Sequence, residues 1–483
     1  MSLTKAHNRM IAGAAANVMD FGAVGDGVTD DTAAIQAAID AMTDDSTLVF
    51  PASIYAITTL RVTQSYRHLH FDGCKFYIDD TAADVTTSNS SVGKIGFYLS
   101  SPQQLKITGS VVMIGLGTVG VTSLCGMYFD TCASFQIPCT MQLQTMALGR
   151  VFHNCEQGIV GDVISRYMDG LQTFEAPPSN NAGSTEVFTG CSFMSMGDCI
   201  SFDAEKPARY LSTATSATTN KFLTFGTTQM ERNADSTTSH ALAIRAATDC
   251  SFGAVTVSGG TLGIEVVTYS GDSAAGYSID RIAIDSLVGT IDATAASVDA
   301  AFEIASTETT PDIGTISIGS INVSMPVGTE YGVYTNAGTL DIGSLKVVGA
   351  VRSIGGVNST VRLGRGQFSG QNSQAMLFGQ GYHFSADYLN ISGAATSTTS
   401  AIYYDSAIGG ATGYGSLSIG TIDYAQNGAA NDYLFIHYDP TNSFESSMIN
   451  NINGTGIMGQ VRYVGNYDCT HNRGRVLSDA APT

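Results

Sequence analysis

The chain has no tryptophan, only 10 prolines and few charged residues, and each shortage restricts what it can do. Tryptophan is the largest aromatic face on which a planar or apolar ligand surface, such as that of a sugar ring, can stack, so its absence disfavours such ligands, although 21 Tyr and 21 Phe could substitute. The 22 basic and 42 acidic residues give a net charge of −20. This charge disfavours a general binder of nucleic acid or of anionic membranes.

Long apolar runs and metal-binding motifs are missing as well. No apolar run is long enough to span a bilayer, so we predict no membrane insertion. Lys5 and Arg9 are not followed by the apolar stretch of a secretory signal, which predicts synthesis in a cytoplasm. The nine cysteines form no CxxC or Cys/His spacing, and no EF-hand pattern occurs. We therefore predict reduced, buried thiols, no metal and no cofactor.

Residues 17–42 are the most informative segment that is present. Val18–Phe21 reads as a short strand, followed by glycines 22, 25 and 27 in a loop that needs permissive backbone angles. Thr32–Met42 has apolar residues at helical spacing, and the acidic residues before it suit a helix start. The segment predicts a strand, a glycine turn and a short helix.

This segment, with Phe50-Pro51-Ala52-Ser53-Ile54-Tyr55 after it, resembles the opening of the pectate-lyase-like superfamily. Ser53 stands where glycine is usual in that family. The residues before Asn17 resemble the lead-in of phage tailspikes and tail fibres. The resemblance covers roughly the first 60 residues closely and the rest only as a repeat pattern. It implies an all-β fold, a right-handed parallel β-helix whose first coil is covered by a short N-terminal capping α-helix.

Repeats further along the chain agree with a solenoid. Phe-x-x-Cys occurs at Phe129, Phe152 and Phe188, at intervals of 23 and 36 residues. The longer interval predicts an inserted loop of roughly 13 residues, and a corner is expected between Phe and Cys because they cannot share one strand face. Later strands alternate apolar and small polar residues. We predict an attachment segment at 1–16, a cap and first coils at 17–100, the β-helix body at 101–430 and a capping or trimerisation region at 431–483.

Two similar loops follow the repeated Gly-Asp-x-Ile-Ser strands, and we expect them to form one wall of a groove. Glycoside hydrolysis needs one protonated and one ionised carboxyl group across the scissile bond. The candidate catalytic residues are Asp162, Glu175, Asp198, Asp203 and Glu205. The candidate substrate-binding residues are Tyr167, Asp169, Lys206 and Arg209.

Asp162 and Asp198 are expected to stack on adjacent coils, about 4.8 Å apart, where like charge would raise the pKa of one of them. Two alternatives remain open. Aspartate after glycine is also an ordinary turn residue that bonds nearby backbone N–H groups, and the loop carboxylates could simply be solvated. An eliminating lyase would use a base such as His153 or Tyr167 instead, beside Lys206 or Arg209.

The resemblance to phage tailspikes implies a homotrimer on a virion tail, joined to tail or baseplate proteins through its N-terminus. It also implies binding of bacterial capsule or lipopolysaccharide glycan. We predict depolymerisation of that glycan by hydrolysis with paired carboxylates. A non-enzymatic tail adhesin, a polysaccharide lyase and a free bacterial enzyme are the alternatives, and the solenoid does not decide among them.

Overall fold

A computed structural model describes most of the chain, and it has two compact units, Met1–Phe252 and Gly253–Thr483. The described residues are 15–79, 81, 84–87, 92–117, 124–168, 183–204, 207–212, 219–232, 240–260, 262–269, 275–291, 300–308, 312–325, 331–370, 374–392, 400–405, 408, 415–425, 433–438, 444–455 and 462–464. Within these ranges no helix is long and apolar enough to cross a membrane. Most of the predicted segments 1–16 and 431–483 falls outside them, so both stay predictions.

The N-terminal cap differs from its sequence prediction in one element. Val18–Phe21 is a 3₁₀ helix and not a strand, because the Asn17 side chain accepts a hydrogen bond from the Met19 N–H and caps this turn. Gly22 ends it with φ of 100°, and the next two loop glycines also have positive φ, as predicted. The α-helix Thr32–Asp40 then buries Ile35, Ala38 and Ile39. The predicted capping helix is therefore confirmed.

The first unit is built from two parallel sheets and one short antiparallel strand. The first sheet contains the strands Ala16–Asn17, Asp26–Asp30, Thr47–Phe50, Ile54–Ile57, His68–Ile78, Lys106–Gly115, Gln136–Ile137, Thr140–Met146, Ile159–Val160, Val163–Met168, Ser195–Met196, Cys199–Ala204, Asn220–Lys221, Thr224–Phe225, Thr228–Arg232 and Ala247–Gly260, the last of which contains the boundary between the units. The second sheet contains Leu60–Val62, Val92–Ser100, Leu124–Asp130, Leu148–His153, Ser184–Thr189, Arg209–Ser212 and His240–Ile244. Val85–Thr86 pairs antiparallel with Val92–Ser100.

Stacked side chains fill the interior of this unit. The Phe152 ring stacks on Phe129 at 4.7 Å and on Phe188 at 5.2 Å between centroids. The three cysteines of the Phe-x-x-Cys repeat are fully buried, as predicted, and burial raises the pKa of Cys155 and Cys191 well above the ordinary thiol value. Identical side chains recur at one strand spacing because every coil has the same cross-section.

Corners of the coils are marked by residues with positive φ. Thr131 and Asn154 lie between Phe and Cys of their repeats with φ of 58° and 49°, which confirms the predicted corner there. A second corner recurs in eight strand layers, and we call it the corner column. Its members all have φ between 53° and 57°, and they are Asp45, Tyr66, Gln104, Ser134, Gln157, Phe193, Phe222 and Asp249.

The second unit is also made of two parallel sheets. Its first sheet contains Ile279–Ile291, Thr315–Ser324, Thr339–Val348, Thr360–Ser369, His383–Ser392, Gly415–Ala425 and Phe444–Thr455. Its second sheet contains Leu262–Thr268, Ala300–Ser306, Tyr331–Thr335, Arg352–Gly356, Met376–Phe378, Ser400–Asp405, Tyr433–Tyr438 and Arg462–Val464. Strands alternate between the sheets along the chain, so each coil adds one strand to each sheet. The predicted fold class, a right-handed parallel β-helix, is confirmed.

Candidate functional site

The Gly-Asp turns of the first unit place Asp162 and Asp198 on adjacent coils, where Val163 pairs with Cys199. Asp162 Oδ1 accepts a hydrogen bond of 2.9 Å from the Asp198 N–H, and Asp198 Oδ1 accepts one of 2.7 Å from the Thr227 N–H. A Cβ on Gly197 would lie only 2.4 Å from Asp162 Oδ1, so the glycine makes room for this bond. Both aspartates thus bond backbone N–H groups, as the turn interpretation predicts, while remaining exposed.

Tyr167 and Asp203 occupy equivalent positions one coil apart, because Arg166 pairs with Phe202 immediately before them. Both have positive φ, 54° and 53°, a conformation that is uncommon for residues other than glycine. Tyr167 is 47% exposed. The structure therefore places the Tyr167 phenol and the Asp203 carboxylate at neighbouring positions near the C-terminal ends of two paired strands.

Arg209 is in a different place from the one predicted. We expected it in a surface loop, but it begins a strand of the second sheet and is fully buried. Its Nε donates a 2.7 Å hydrogen bond to Glu186, and its Nη2 donates to the Gly197 carbonyl. A guanidinium group that is buried inside the coil and hydrogen-bonded there cannot bind a ligand in a surface groove. The prediction of a substrate-binding Arg209 is wrong for this physical reason.

The remaining candidates fall into two groups. Asp169, Glu175, Glu205 and Lys206 lie outside the described residues. His153, the alternative lyase base, is 98% buried, and burial lowers its pKa despite the opposing charge of Asp130. Its imidazole is therefore more weakly basic than an exposed histidine. Among the described residues, no cluster of three metal-ligating side chains exists.

Arg209 belongs to a buried column of charge, Arg150–Glu186–Arg209, on three paired strands. Glu186 accepts from Arg150 at 2.5 Å as well as from Arg209, and all three side chains are inaccessible to water. Burial acts to raise the pKa of Glu186, but the two guanidinium groups outweigh it and hold that pKa below its ordinary value. Arg150 also donates to the Gly161 carbonyl, so the column ties the Gly-Asp turns to the second sheet.

The second unit contains an open groove of about 730 Å³ that crosses five neighbouring strands. One row of its lining is Ser317, Asp341, Arg362, Ser385 and Ser418, which are paired residues of successive coils. The next row, two residues further along each strand, is Gly319, Gly343, Gly364, Asp387 and Gly420. We call this feature the glycine groove. Its floor is bare backbone wherever glycine removes the side chain.

Mixed charge surrounds the glycine groove. Arg362 Nη1 lies 3.1 Å from Asp341 Oδ1 in a partly exposed ion pair. Beside the groove, the Arg365 guanidinium lies 5.6 Å from the centre of the Tyr388 ring, and the Tyr388 hydroxyl donates to Asp423. This hydrogen bond raises the pKa of Tyr388 and lowers that of Asp423. The site thus offers hydroxyl, carboxylate and guanidinium groups within a few side-chain lengths.

The sequence predictions did not include this groove, although a signal for it was present. Glycine follows a buried aliphatic residue at Ile318, Ile342, Leu363 and Ile419, at one strand position in each coil. Glycine inside a strand often marks a place where another molecule or backbone approaches closely. Alignment by strand register, which the structure supplies, is what shows that these glycines share one row.

Comparison with known proteins gives a match at the start of the chain. A family model described as "Rhamnogalacturonase A/epimerase, pectate lyase-like" matches residues 15–82. No curated protein matches the chain.

Three solved structures illustrate the structural similarity. A family 28 exopolygalacturonase of Yersinia enterocolitica has 13% identity and a TM-score of 0.43, with 78% of this chain and 77% of that chain covered. A mutant of the tailspike of Escherichia coli bacteriophage HK620, in complex with a hexasaccharide, has 12% identity and a TM-score of 0.45, with 91% and 78% covered. PfbA, a surface adhesin of Streptococcus pneumoniae, has 12% identity and a TM-score of 0.40, with 94% and 91% covered. The resemblance of the opening segment to the pectate-lyase-like superfamily is thereby confirmed, over the residues 15–82 that the family model matches.

Proposed function

We propose that this chain is a glycan-binding β-helix that holds an extended polysaccharide in the glycine groove. The observation that supports this most directly is the open groove of about 730 Å³ across five neighbouring coils. Five strands at about 4.8 Å spacing give a floor roughly 19 Å long, which suits a linear polymer better than a compact small molecule. Flanking hydroxyl and charged groups match the hydrogen-bonding demands of sugar hydroxyls.

We further propose that the ligand is a bacterial surface polysaccharide and that the protein acts on a phage tail as a homotrimer, attached through its N-terminal residues to tail or baseplate proteins. The resemblance of the residues before Asn17 to tailspike lead-ins supports the virion role. The family model that matches residues 15–82 is named for enzymes that act on pectic glycans, which supports a glycan ligand.

The groove proposal predicts that a bulky side chain on the groove wall blocks binding. Ser385→Trp is expected to weaken binding of host capsule or lipopolysaccharide at least tenfold, because Ser385 lines the groove and is partly exposed. Ser324→Trp is the matched control, since Ser324 is exposed on the same sheet but does not line the groove. Affinity electrophoresis of each variant in gels containing the polysaccharide measures the effect. Equal retardation of Ser385→Trp and wild type would contradict the proposal.

Cleavage of a bound glycan by hydrolysis is the second part of the proposed function, and each unit has surface carboxylates that could take part. Asp198 and Asp203 are candidates in the first unit, and Asp387 interrupts the glycine row in the second. Removal of a required acid or base lowers the rate by about 100-fold or more. Asp198→Asn, Asp203→Asn and Asp387→Asn, assayed in parallel, are expected to identify the unit that contains the acid.

Product size and ultraviolet absorbance distinguish the chemical alternatives. Shorter saccharides without new absorbance indicate hydrolysis, whereas shorter saccharides with the absorbance of an unsaturated uronate indicate a lyase. A polymer that binds and stays intact indicates an adhesin and contradicts the hydrolytic proposal. Full activity in all three variants would exclude these aspartates, with Glu175 and Glu205 as the next residues to test.

A further inference from the structure

An exposed apolar patch lies on the corner column of the first unit. Phe193 and Phe222 occupy the corner in adjacent coils, where the Phe193 N–H bonds the Lys221 carbonyl. Their rings stack with centroids 4.9 Å apart and 14° between planes. Phe193 is 58% exposed and Phe222 is 47% exposed, and Ile159 in the preceding coil is 55% exposed. We call these three residues the corner patch.

Phenylalanine is unfavourable at these two positions, both because the backbone has positive φ and because the side chains are exposed to water. Both have φ near 54°, where Asn, Asp and Gly are the usual residues and where a bulky side chain is an outlier. Five of the other six members of the corner column are Asp, Gln or Ser, and the sixth is Tyr66. Conformational strain of this kind persists where the surrounding structure enforces it, and it clusters at functional sites. Stacked phenylalanines here therefore call for an explanation other than folding.

The size of the patch limits what could cover it. A phenylalanine has about 150–250 Å² to bury, so the two exposed fractions together leave roughly 200 Å². A stable protein interface needs about 800 Å² per partner, several times more. A small occupant with one apolar face is the better match. A column of hydroxyls runs beside the patch, because Ile159 pairs with Ser195 and Ser195 pairs with Thr224, both of which are exposed.

We propose that the corner patch is a second carbohydrate contact site, in which the C–H face of a sugar ring packs on Phe193 and Phe222. Hydroxyls of the same sugar bond the Ser195 and Thr224 hydroxyls. This inference shares with the proposed function the assumption that the ligand is a glycan. It does not depend on the glycine groove, which belongs to the other unit. It also supplies the aromatic surface that a chain without tryptophan needs for sugar binding.

Asparagine tests this site without disturbing the corner, because asparagine tolerates positive φ. Binding of wild type, of the double variant Phe193→Asn/Phe222→Asn and of Ser385→Trp is compared on an array of bacterial capsular and O-antigen polysaccharides. The double variant is expected to bind about tenfold more weakly to at least one glycan that wild type binds. Gln157→Asn, one coil earlier on the same corner column, is the control and is expected to bind as wild type does.

Each outcome has a separate meaning. Normal binding by the double variant overturns the corner patch and leaves the groove proposal intact. Weakened binding by the double variant with normal binding by Ser385→Trp supports the corner patch and contradicts the groove. A change in the oligomeric state of the double variant, measured by light scattering, would identify the patch as a protein interface and overturn the inference. A wild-type protein that binds no glycan on the array overturns both proposals.

Discussion

Glu186→Gln is expected to lower the stability of the first unit by about 3–5 kcal/mol, because it leaves two buried guanidinium groups without a counter-ion. Glutamine has nearly the same shape as glutamate, so the loss is electrostatic and leaves no cavity. At roughly 2–4 °C per kcal/mol, the midpoint of thermal unfolding should fall by about 6–20 °C. Differential scanning calorimetry measures the shift.

A surface ion pair serves as the control for this substitution. Asp341 and Arg362 lie 3.1 Å apart with side chains 37% and 60% exposed, so Asp341→Asn should change stability by less than about 1 kcal/mol. Equal losses of stability in the two variants would show that burial of the ion pair does not determine its contribution.

The buried Arg150–Glu186–Arg209 column should also make the stability of the protein sensitive to acid. The folded-state pKa of Glu186 is depressed, so its stabilisation is present above the unfolded value near 4.5 and is lost as the pH falls through the folded pKa.

Gly109→Ala is the second substitution with a large expected effect. Gly109 has φ of 91°, and a Cβ there would lie 1.9 Å from the Phe71 carbonyl oxygen on the paired strand. Backbone strain and overpacking each contribute, and together they should destabilise the unit by about 3 kcal/mol or more. Urea unfolding followed by circular dichroism measures the change.

Gly73→Ala separates those two contributions. Gly73 also has positive φ, 69°, but nothing lies within 4 Å of where its Cβ would be. Gly73→Ala should therefore be destabilised by backbone strain alone, which lowers the free energy of unfolding by about 1 kcal/mol. If both alanine variants unfold at the same urea concentration, close approach of the neighbouring strand is not what requires glycine at position 109.

Local patterns were sufficient to predict the architecture, because the features that define a β-helix are short-range. The loop glycines, the helix after Asp31 and the stacked Phe-x-x-Cys repeats depend on a few residues each, and the structure has them. The strand predicted at Val18–Phe21 failed because one side-chain cap, from Asn17, decided the local conformation. Short elements are governed by such single contacts.

Site residues were harder to predict, because a charged residue in a sequence is normally expected to be exposed to solvent. Arg209 looked like a loop cation, and only the pairing of its strand with the one that contains Glu186 shows that it points into the core. The glycine groove depends on register across five coils, separated by connections of unequal length, which a single sequence does not specify. Burial of charge and alignment of coils are both long-range properties.

The corners of the first unit also bear on how such a chain could change over time. Phe152 and Phe188 stack with centroids 5.2 Å apart although 36 residues separate them, against 4.7 Å and 23 residues for the previous pair. The longer connection therefore leaves the register of the strands unchanged, because Phe152 pairs with Phe188 just as Phe129 pairs with Phe152. Duplication, exchange or lengthening of such a connection would alter what the surface recognises while the scaffold stays the same. Recombination between related chains at these corners should accordingly yield folded proteins with new specificities.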